Sequence, residues 1–485
     1  MSGMASESEG RPLRPIIVWF RRDLRTDDHA ALIHAAKQHV PLVPLFIFDT
    51  ELILSLPSDG AAFNFQAEAL VELGQQLHQL GGTLITRHGR VSDVHREIIH
   101  ELHPLALYYN RDYEPYARER DAKVEQIYRE ADIDVHSFKD AVAHEPDEVL
   151  TGKGAPYVVF TPYANAWKKL SHPLPFTRPK PFSTPHVPHD RLLGARELGK
   201  PIAISDPAFV GGEREAHRRW RHFLQSMIVA YAKDRDLPAV DGTSKLSASL
   251  RFGCISIRRM IDDCDKALHR ATTAQQLSIK KFVDELIWRE FYVSVLYHYP
   301  GLTHSNYREE FDKMPWRFST KLFNAWKEGR TGFPLVDAGM RQLNQTGWMH
   351  NRVRMVVASF LTKDLRHDWR KGAACFETKL MDIETSSNNG GWQWAASTGV
   401  DPKPLRIFNP RLQSERFDPE GDYIKRFVHE LRRVPAKYIH SPHAMPPTLQ
   451  KEFGCVIGKH YPAPIVDHAA ASAEYKRLFA AIKSR

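Results

Sequence analysis

The stretch TLITRHGRVSDVHREIIHELHPLALYYN, Thr83 to Asn110, reads as strand, amphipathic helix and strand. TLITRHG and LALYYN are rich in β-branched and aromatic residues, which suits a pleated run, whereas DVHREIIHEL spaces its apolar residues as one face of a helix. Working outward, IIVWF, PLVPLFIF and IDVHSF repeat the strand signature, and FQAEALVELGQQLHQLGG repeats the helical one. This alternation from Ile16 to about Phe138 predicts a parallel α/β sheet with right-handed crossovers. Neither GxGxxG nor a P-loop occurs, so the sheet alone announces no dinucleotide site.

After Phe138 the pattern changes. Pro156, Pro162, Pro173, Pro175, Pro179, Pro181, Pro185 and Pro188 deny the next segment long regular structure. Its apolar runs, such as YVVFTPYANAW, predict a connector packed along the surface between domains. From Glu213 onward helical periodicity dominates, as in KKFVDELIWREFYVSVLYHY. The expected organisation is an α/β domain at 14–140, a connector at 141–212 and an all-α domain at 213–485. A chain of 485 residues is too long for one compact core.

Composition narrows the function classes. Cys254, Cys264, Cys375 and Cys455 are few and widely spaced, without CxxC or Cys/His ligand spacing, which predicts buried thiols in a reducing compartment, and neither a disulfide framework nor a metal site. The N-terminus MSGMASESEGRPLRP has no apolar core of a leader, and no run of about 18 apolar residues occurs, so a soluble cytoplasmic protein is expected. A net charge of +9 permits a polyanionic partner. Arginines punctuate the aromatic motifs at Arg235, Arg251, Arg289, Arg352, Arg354 and Arg406, with Arg411 and Arg416 close behind.

NNGGWQWAASTG, Asn388 to Gly399, combines paired amides, paired glycines and two tryptophans. Glycines let backbone approach a flat ligand, and an amide both donates to and accepts from a heterocycle, so the run reads as the wall of a chromophore site. Upstream, GWMHNRVRMVVASFLTKDL and ELIWREFY mix Trp, Arg, Glu and Asn into apolar helical sequence, and such polar groups need partners or a ligand.

With WFRRDLR at Trp19 to Arg25 and YAKDRDLPAVDGTSKLSASLRFG at Tyr231 to Gly253, these segments resemble the photolyase and cryptochrome flavoproteins, from about Ile16 to about Ala480. The likeness is strongest to a class I-type cyclobutane pyrimidine dimer photolyase. It implies a Rossmann-like α/β domain, an all-α FAD-binding domain, and light-driven repair of dimers in DNA by electron transfer from excited reduced FAD.

Carried over residue by residue, the resemblance assigns FAD contacts to Tyr231, Thr243, Ser244, Lys245, Leu246, Ser247, Arg354, Asp382, Ile383, Glu384 and Asn388. The hydroxyls of GTSKLSASL also suit a diphosphate at a helix start. Asn388 matches the residue facing flavin N5, and Trp392, Trp369 and Trp316 match a chain of tryptophans that conducts electrons from the surface. Glu285, Trp288, Asn351, Met355 and Trp394 match the lesion pocket, where two indoles can wall a flipped base pair and Glu285 and Asn351 can hydrogen-bond pyrimidine edges. Glu285, Asn388 and Met355 are the expected catalytic residues, and Arg235, Arg289, Arg352 and Arg406 are expected on DNA.

One departure stands out: Glu384 occupies the place of a usual second aspartate, and its extra methylene is expected to alter a flavin contact. Photolyases of the 6-4 photoproduct typically carry histidines where this chain has Asn351 and Met355, which favours the cyclobutane lesion. A cryptochrome-like blue-light receptor would carry a regulatory C-terminal extension, whereas this sequence ends at Arg485 soon after a helical stretch. A non-catalytic basic binding module would bind damaged and undamaged DNA alike. The family often adds an antenna chromophore, a folate, a deazaflavin or a second flavin, and a monomer is expected.

Overall fold

The structure is a computed structural model and describes residues 14–55, 60–194, 196–199, 209–401 and 405–483. Most of the polar N-terminal stretch and the final two residues lie outside that range. Five parallel strands, β1 (Ile16–Phe20), β2 (Leu42–Asp49), β3 (Ile85–Gly89), β4 (Ala106–Asn110) and β5 (Asp134–Phe138), form one sheet in the order β3-β2-β1-β4-β5. The pairing is in register from Ile16 opposite Leu42 on one side and opposite Ala106 on the other. Each strand sits where the apolar runs place it, and helices Ala61–Gln79 and Val91–Leu102 follow the two amphipathic stretches.

β1 is buried along its whole length, as expected of a central parallel strand covered on both faces. Its period of two divides the side chains: Ile17 and Trp19 join a core under one face, whereas Ile16, Val18 and Phe20 join a larger core that runs on into Trp220, Phe282 and Leu286 of the helical domain. The two domains therefore share one hydrophobic core. Buried charge ties them as well. Arg258 lies 3.1 Å from Asp28 and 2.7 Å from Asp140, and Arg25 lies 2.6 Å from the same Asp140, all nearly inaccessible to water.

The spine of the second domain is the helix Thr273–His298, opened by a capping box between Thr272 and Gln275. Glu290, buried on this helix, accepts hydrogen bonds from the Ala143 and His144 backbone and, at 2.6 Å, from Trp167 Nε1. That carboxylate pins the connector, which contains the 3-10 turn Pro146–Glu148 and the short helix Phe160–Trp167 and has no regular structure from Ser171 to Leu193. All four cysteines are free and buried, as expected. Among the described residues no helix is long and apolar enough to cross a membrane.

Candidate functional site

The site is assembled around two helices, Asn351–Ser359 and Thr385–Ala396, which pack against each other in the helical domain. His350 caps the first, its ring accepting from the Arg352 backbone at 3.2 Å. Two residues on, Arg354 Nη2 lies 2.8 Å from Asp382 Oδ2, while Arg354 Nε donates to the Met349 carbonyl. Asp382 Oδ1 is buried and has no partner within the chain. Ser386 Oγ, Trp392 Nε1, Arg352 Nε and His350 Nε2 share that condition on the same segments. Buried polar atoms are ordinarily satisfied. The unsatisfied buried oxygen of Asp382 beside a half-buried arginine fits a flat heterocyclic group that donates there, as a flavin does.

Asn388 Nδ2 donates to the Ala373 carbonyl at 3.2 Å. The amide also donates to Glu377, a residue the sequence reading missed, whose carboxyl is held above its ordinary pKa by burial and by Glu114. Glu377 stands one helical turn after Ala373, so its position follows once the partner helix is known. The paired glycines divide, Gly391 facing open space while Gly390 does not. Gly390 lies so close to Tyr292 that a Cβ would stand 2.1 Å from its ring, so this glycine lets two helices touch.

The phosphate-directed segment is more extended than predicted. Helix Ser247–Arg251 begins only at Ser247, so Thr243 and Ser244 precede it, and Lys245 takes a left-handed φ of 51° with its Nζ 2.8 Å from Asp241. Leu246 is buried, Ser247 Oγ accepts from Trp348 Nε1 at 3.3 Å, and Tyr231 is buried against Phe282.

Of the tryptophan set, Trp392 and Trp369 are buried and Trp316 is half-buried. Gly372 makes room for the Trp392 ring, 2.2 Å from where a Cβ would stand. Trp369 Nε1 donates to Asn306 Oδ1 at 2.8 Å. Trp326, absent from the predicted set, lies 6.1 Å from Trp392 edge to face and is fully buried.

On the outer face Arg235 pairs with Glu285, and its neighbour Asp236 lies 2.7 Å from Arg352, which leans on Met355. These contacts bring Arg235, Glu285, Arg352 and Met355 into one continuous constellation. Asn351 is exposed at the helix start. Trp288 is stacked on Phe160 with ring centres 3.7 Å apart and planes 5° from parallel, so the connector backs the indole. Trp394 lies 6.2 Å from Phe408, with Arg406 5.9 Å from its ring.

Two of the assigned residues have strong partners within the chain. Glu384 accepts from Arg22 at 2.9 Å and from Arg289 at 2.7 Å, and these guanidiniums hold its carboxyl below its usual range despite burial. Its extra methylene thus serves the seam between domains, where Arg22 also meets Asp112 and Glu114. Arg289 spends its donors on Glu384 and the Ala141 carbonyl, so it faces this seam. Arg251 is half-buried in the same cluster, donates to the Ile383 carbonyl, and is pulled down to about 10 by desolvation and by Arg22.

Comparison with known proteins follows this geometry. Residues 16–181 match the family model of DNA photolyase, and residues 282–481 match that of the FAD binding domain of DNA photolyase. A deoxyribodipyrimidine photo-lyase of a Synechococcus strain is 39% identical, with 97% of each chain covered. That of Escherichia coli is 38% identical over 94% of this chain and 96% of its own. Among solved structures, a bacterial class III photolyase from Agrobacterium tumefaciens superposes with a TM-score of 0.91 at 38% identity, covering 99% of this chain and all of the other. A Synechocystis cryptochrome gives 0.90 at 27% identity over 96% of this chain and all of its own.

Proposed function

This chain belongs to the DNA photolyase family, and we propose from that premise how its own residues serve light-driven repair of cyclobutane pyrimidine dimers. The chain is a deoxyribodipyrimidine photo-lyase that binds FAD and acts on ultraviolet-damaged DNA. The single observation that carries the residue assignment is the linked set Glu285, Arg235, Asp236, Arg352 and Met355, which sets two carboxylates, two cations and a thioether side by side between the helices that bear Trp288 and Arg354.

In this reading Arg354, Asp382 and Asn388 hold the flavin ring, and Tyr231 with Thr243 to Ser247 holds the rest of the cofactor. When bound, FAD supplies the light absorption and the electron that opens the cyclobutane ring. The protein's work is positional. Asp382 Oδ1, left free by the ion pair to Arg354, is available to accept a hydrogen bond from the ring, and the Arg354 cation favours negative charge there. Trp288 and Trp394 wall the pocket for the flipped dimer, Glu285 and Asn351 hydrogen-bond its pyrimidine edges, and Arg235, Arg352 and Arg406 meet the flanking phosphates. Trp392, Trp369 and Trp316 conduct electrons inward to restore the reduced cofactor.

We take the working limits of the units as 14–140, 141–212 and 213–485, and the protein as a cytoplasmic monomer. A second, light-harvesting chromophore belongs to the same reading, since an archaeal photolyase from Sulfolobus tokodaii, with a TM-score of 0.80, is described with two FAD molecules. Its candidate place here is the cleft at the ends of β1 and β4, lined by Arg22, Asp112, Tyr113 and Glu114, where the strand order reverses. An absorption spectrum of the purified protein tests both cofactors at once. About one non-covalent FAD per chain is expected, and folded protein that is colourless and cannot be reconstituted would end the reading.

A further inference from the structure

A cleft of about 420 Å³ lies beside Trp394 and is lined by Arg308, Lys363, Ser397, Asp401 and Arg406. Lys363 is only 2% exposed. A lysine so deeply buried needs partners, because desolvating an ammonium is costly. Its Nζ donates to Ser397 Oγ at 3.0 Å and to the backbone carbonyl of Arg406. Ser397 is the residue at which helix Thr385–Ala396 ends, held at a left-handed φ of 64° that a non-glycine residue rarely adopts. Arg406 is the residue whose guanidinium stands 5.9 Å from the Trp394 ring. One ammonium therefore ties the end of the helix that carries Trp394 to the segment that carries Arg406. Lys363 reaches both from a π-helical turn, Phe360–Asp364, an irregularity that often marks functional positions.

We propose that Lys363 is a positioning residue for the lesion site, presetting the Trp394 wall and the Arg406 cation as one unit before DNA arrives. Presetting removes part of the ordering cost that binding would otherwise carry, so its effect belongs in lesion affinity. The inference rests on the reading that Trp394 and Arg406 face the damaged strand.

The charge on Lys363 gives a second handle. Burial, with Arg406 adding to it, pulls the amine down to about 7 against the opposing pull of Asp364. Arg308 and Asp401 face it across the cleft, and His468 and Tyr475 approach from helix His468–Lys483, His468 being paired with Asp364. The ammonium is present below pH 7 and lost above it. A neutral amine forfeits the charge assistance of both hydrogen bonds, so lesion affinity falls as pH rises through 7.

The test uses reduced holoenzyme in the dark, with dissociation constants for an oligonucleotide carrying one cyclobutane dimer and for its undamaged twin. Lys363→Met should weaken lesion binding about tenfold. Undamaged binding should fall by a smaller factor, through Arg406 alone, while flavin spectrum and repair per photon at saturating DNA should stay unchanged. Lys363→Gln keeps two donors without charge, and should recover part of the affinity and flatten its dependence between pH 6 and 8.5. Equal losses on both oligonucleotides, or no loss with flavin retained, overturn the proposal. Should the variants fail to fold, wild type decides: a decline through pH 7 that Arg406→Ala abolishes supports the proposal, and a flat profile overturns it. Wild-type protein with no lesion preference would instead defeat the underlying reading, a result visible before any variant is made.

Discussion

Arg22 of the sheet domain and Glu384 of the helical domain meet at 2.9 Å, and Arg289 closes on the same carboxylate from the other side at 2.7 Å. Glu384 is also the cap position of the helix that carries Asn388, Trp392 and Trp394, and Glu114 from the sheet domain accepts from the first backbone NH of that helix at 2.9 Å. The antenna-type domain thus holds the end of the helix nearest the flavin-directed amide. Glu384→Gln would take from Arg289 its carboxylate partner and leave Arg22 with only Asp112 and Glu114, and a loss of about 3 kcal/mol is expected. Thermal unfolding followed by flavin release should show it as a lower transition with easier loss of FAD. An unchanged transition would mean the seam is not held by this carboxylate.

Trp392 is packed against Gly372 and Phe376, deep in the core, with its indole nitrogen unpartnered. Trp392→Phe should abolish photoreduction of oxidised flavin while repair by chemically pre-reduced enzyme persists. The two activities separate because the repair electron does not travel through the tryptophans. Equal loss of both would make Trp392 structural.

Arg352 and Arg406 stand on the outer face, Arg352 held by Asp236 and Arg406 exposed beside Trp394. Replacing either with Ala should weaken DNA binding by about 1 kcal/mol or more and lower the salt dependence of the binding constant. Titrations at several salt concentrations check both. Arg289→Ala should leave the salt slope unaltered, since that guanidinium is spent on Glu384.

Burial pushes His350 down to about 4, with Arg352, Arg354 and Arg235 acting in the same sense against Asp236. The unfolded chain takes up this proton near 6.5. Between those values the unfolded state binds more protons, so stability falls as pH drops from 6.5 toward 4, by up to about 1.4 kcal/mol per pH unit for this group. His350→Asn keeps a capping side chain, and melting curves across that range should become flatter. An identical slope would show that other groups govern acid sensitivity.

The sheet was legible residue by residue because parallel strands buried on both faces leave continuous apolar runs such as IIVWF, and the helices between them carry a clean 3.6 period. The flavin pair Arg354 and Asp382 was legible through the resemblance and does meet at 2.8 Å. What local sequence could not carry is long-range partnership. That Glu384 is shared by Arg289 and the sheet domain's Arg22 is signalled by no local spacing. Phe160 behind Trp288, and Glu377 beside Asn388, belong to segments whose role is set by packing between distant elements, and no local spacing signals that.

The lesion class is the central claim, and it rests on Glu285, paired with Arg235, and on Met355 beside Arg352. Glu285→Ala should lower repair per absorbed photon with normal FAD content, because the carboxylate serves substrate, and Met355→His should weaken dimer repair without creating 6-4 repair. The most direct measurement is light-dependent restoration by the wild-type enzyme of two defined oligonucleotides, one carrying a cyclobutane thymine dimer and one a 6-4 photoproduct. Repair of the cyclobutane dimer in light, none in darkness, and an untouched 6-4 photoproduct is the expected result; repair of the 6-4 photoproduct with the cyclobutane dimer left intact would contradict the account.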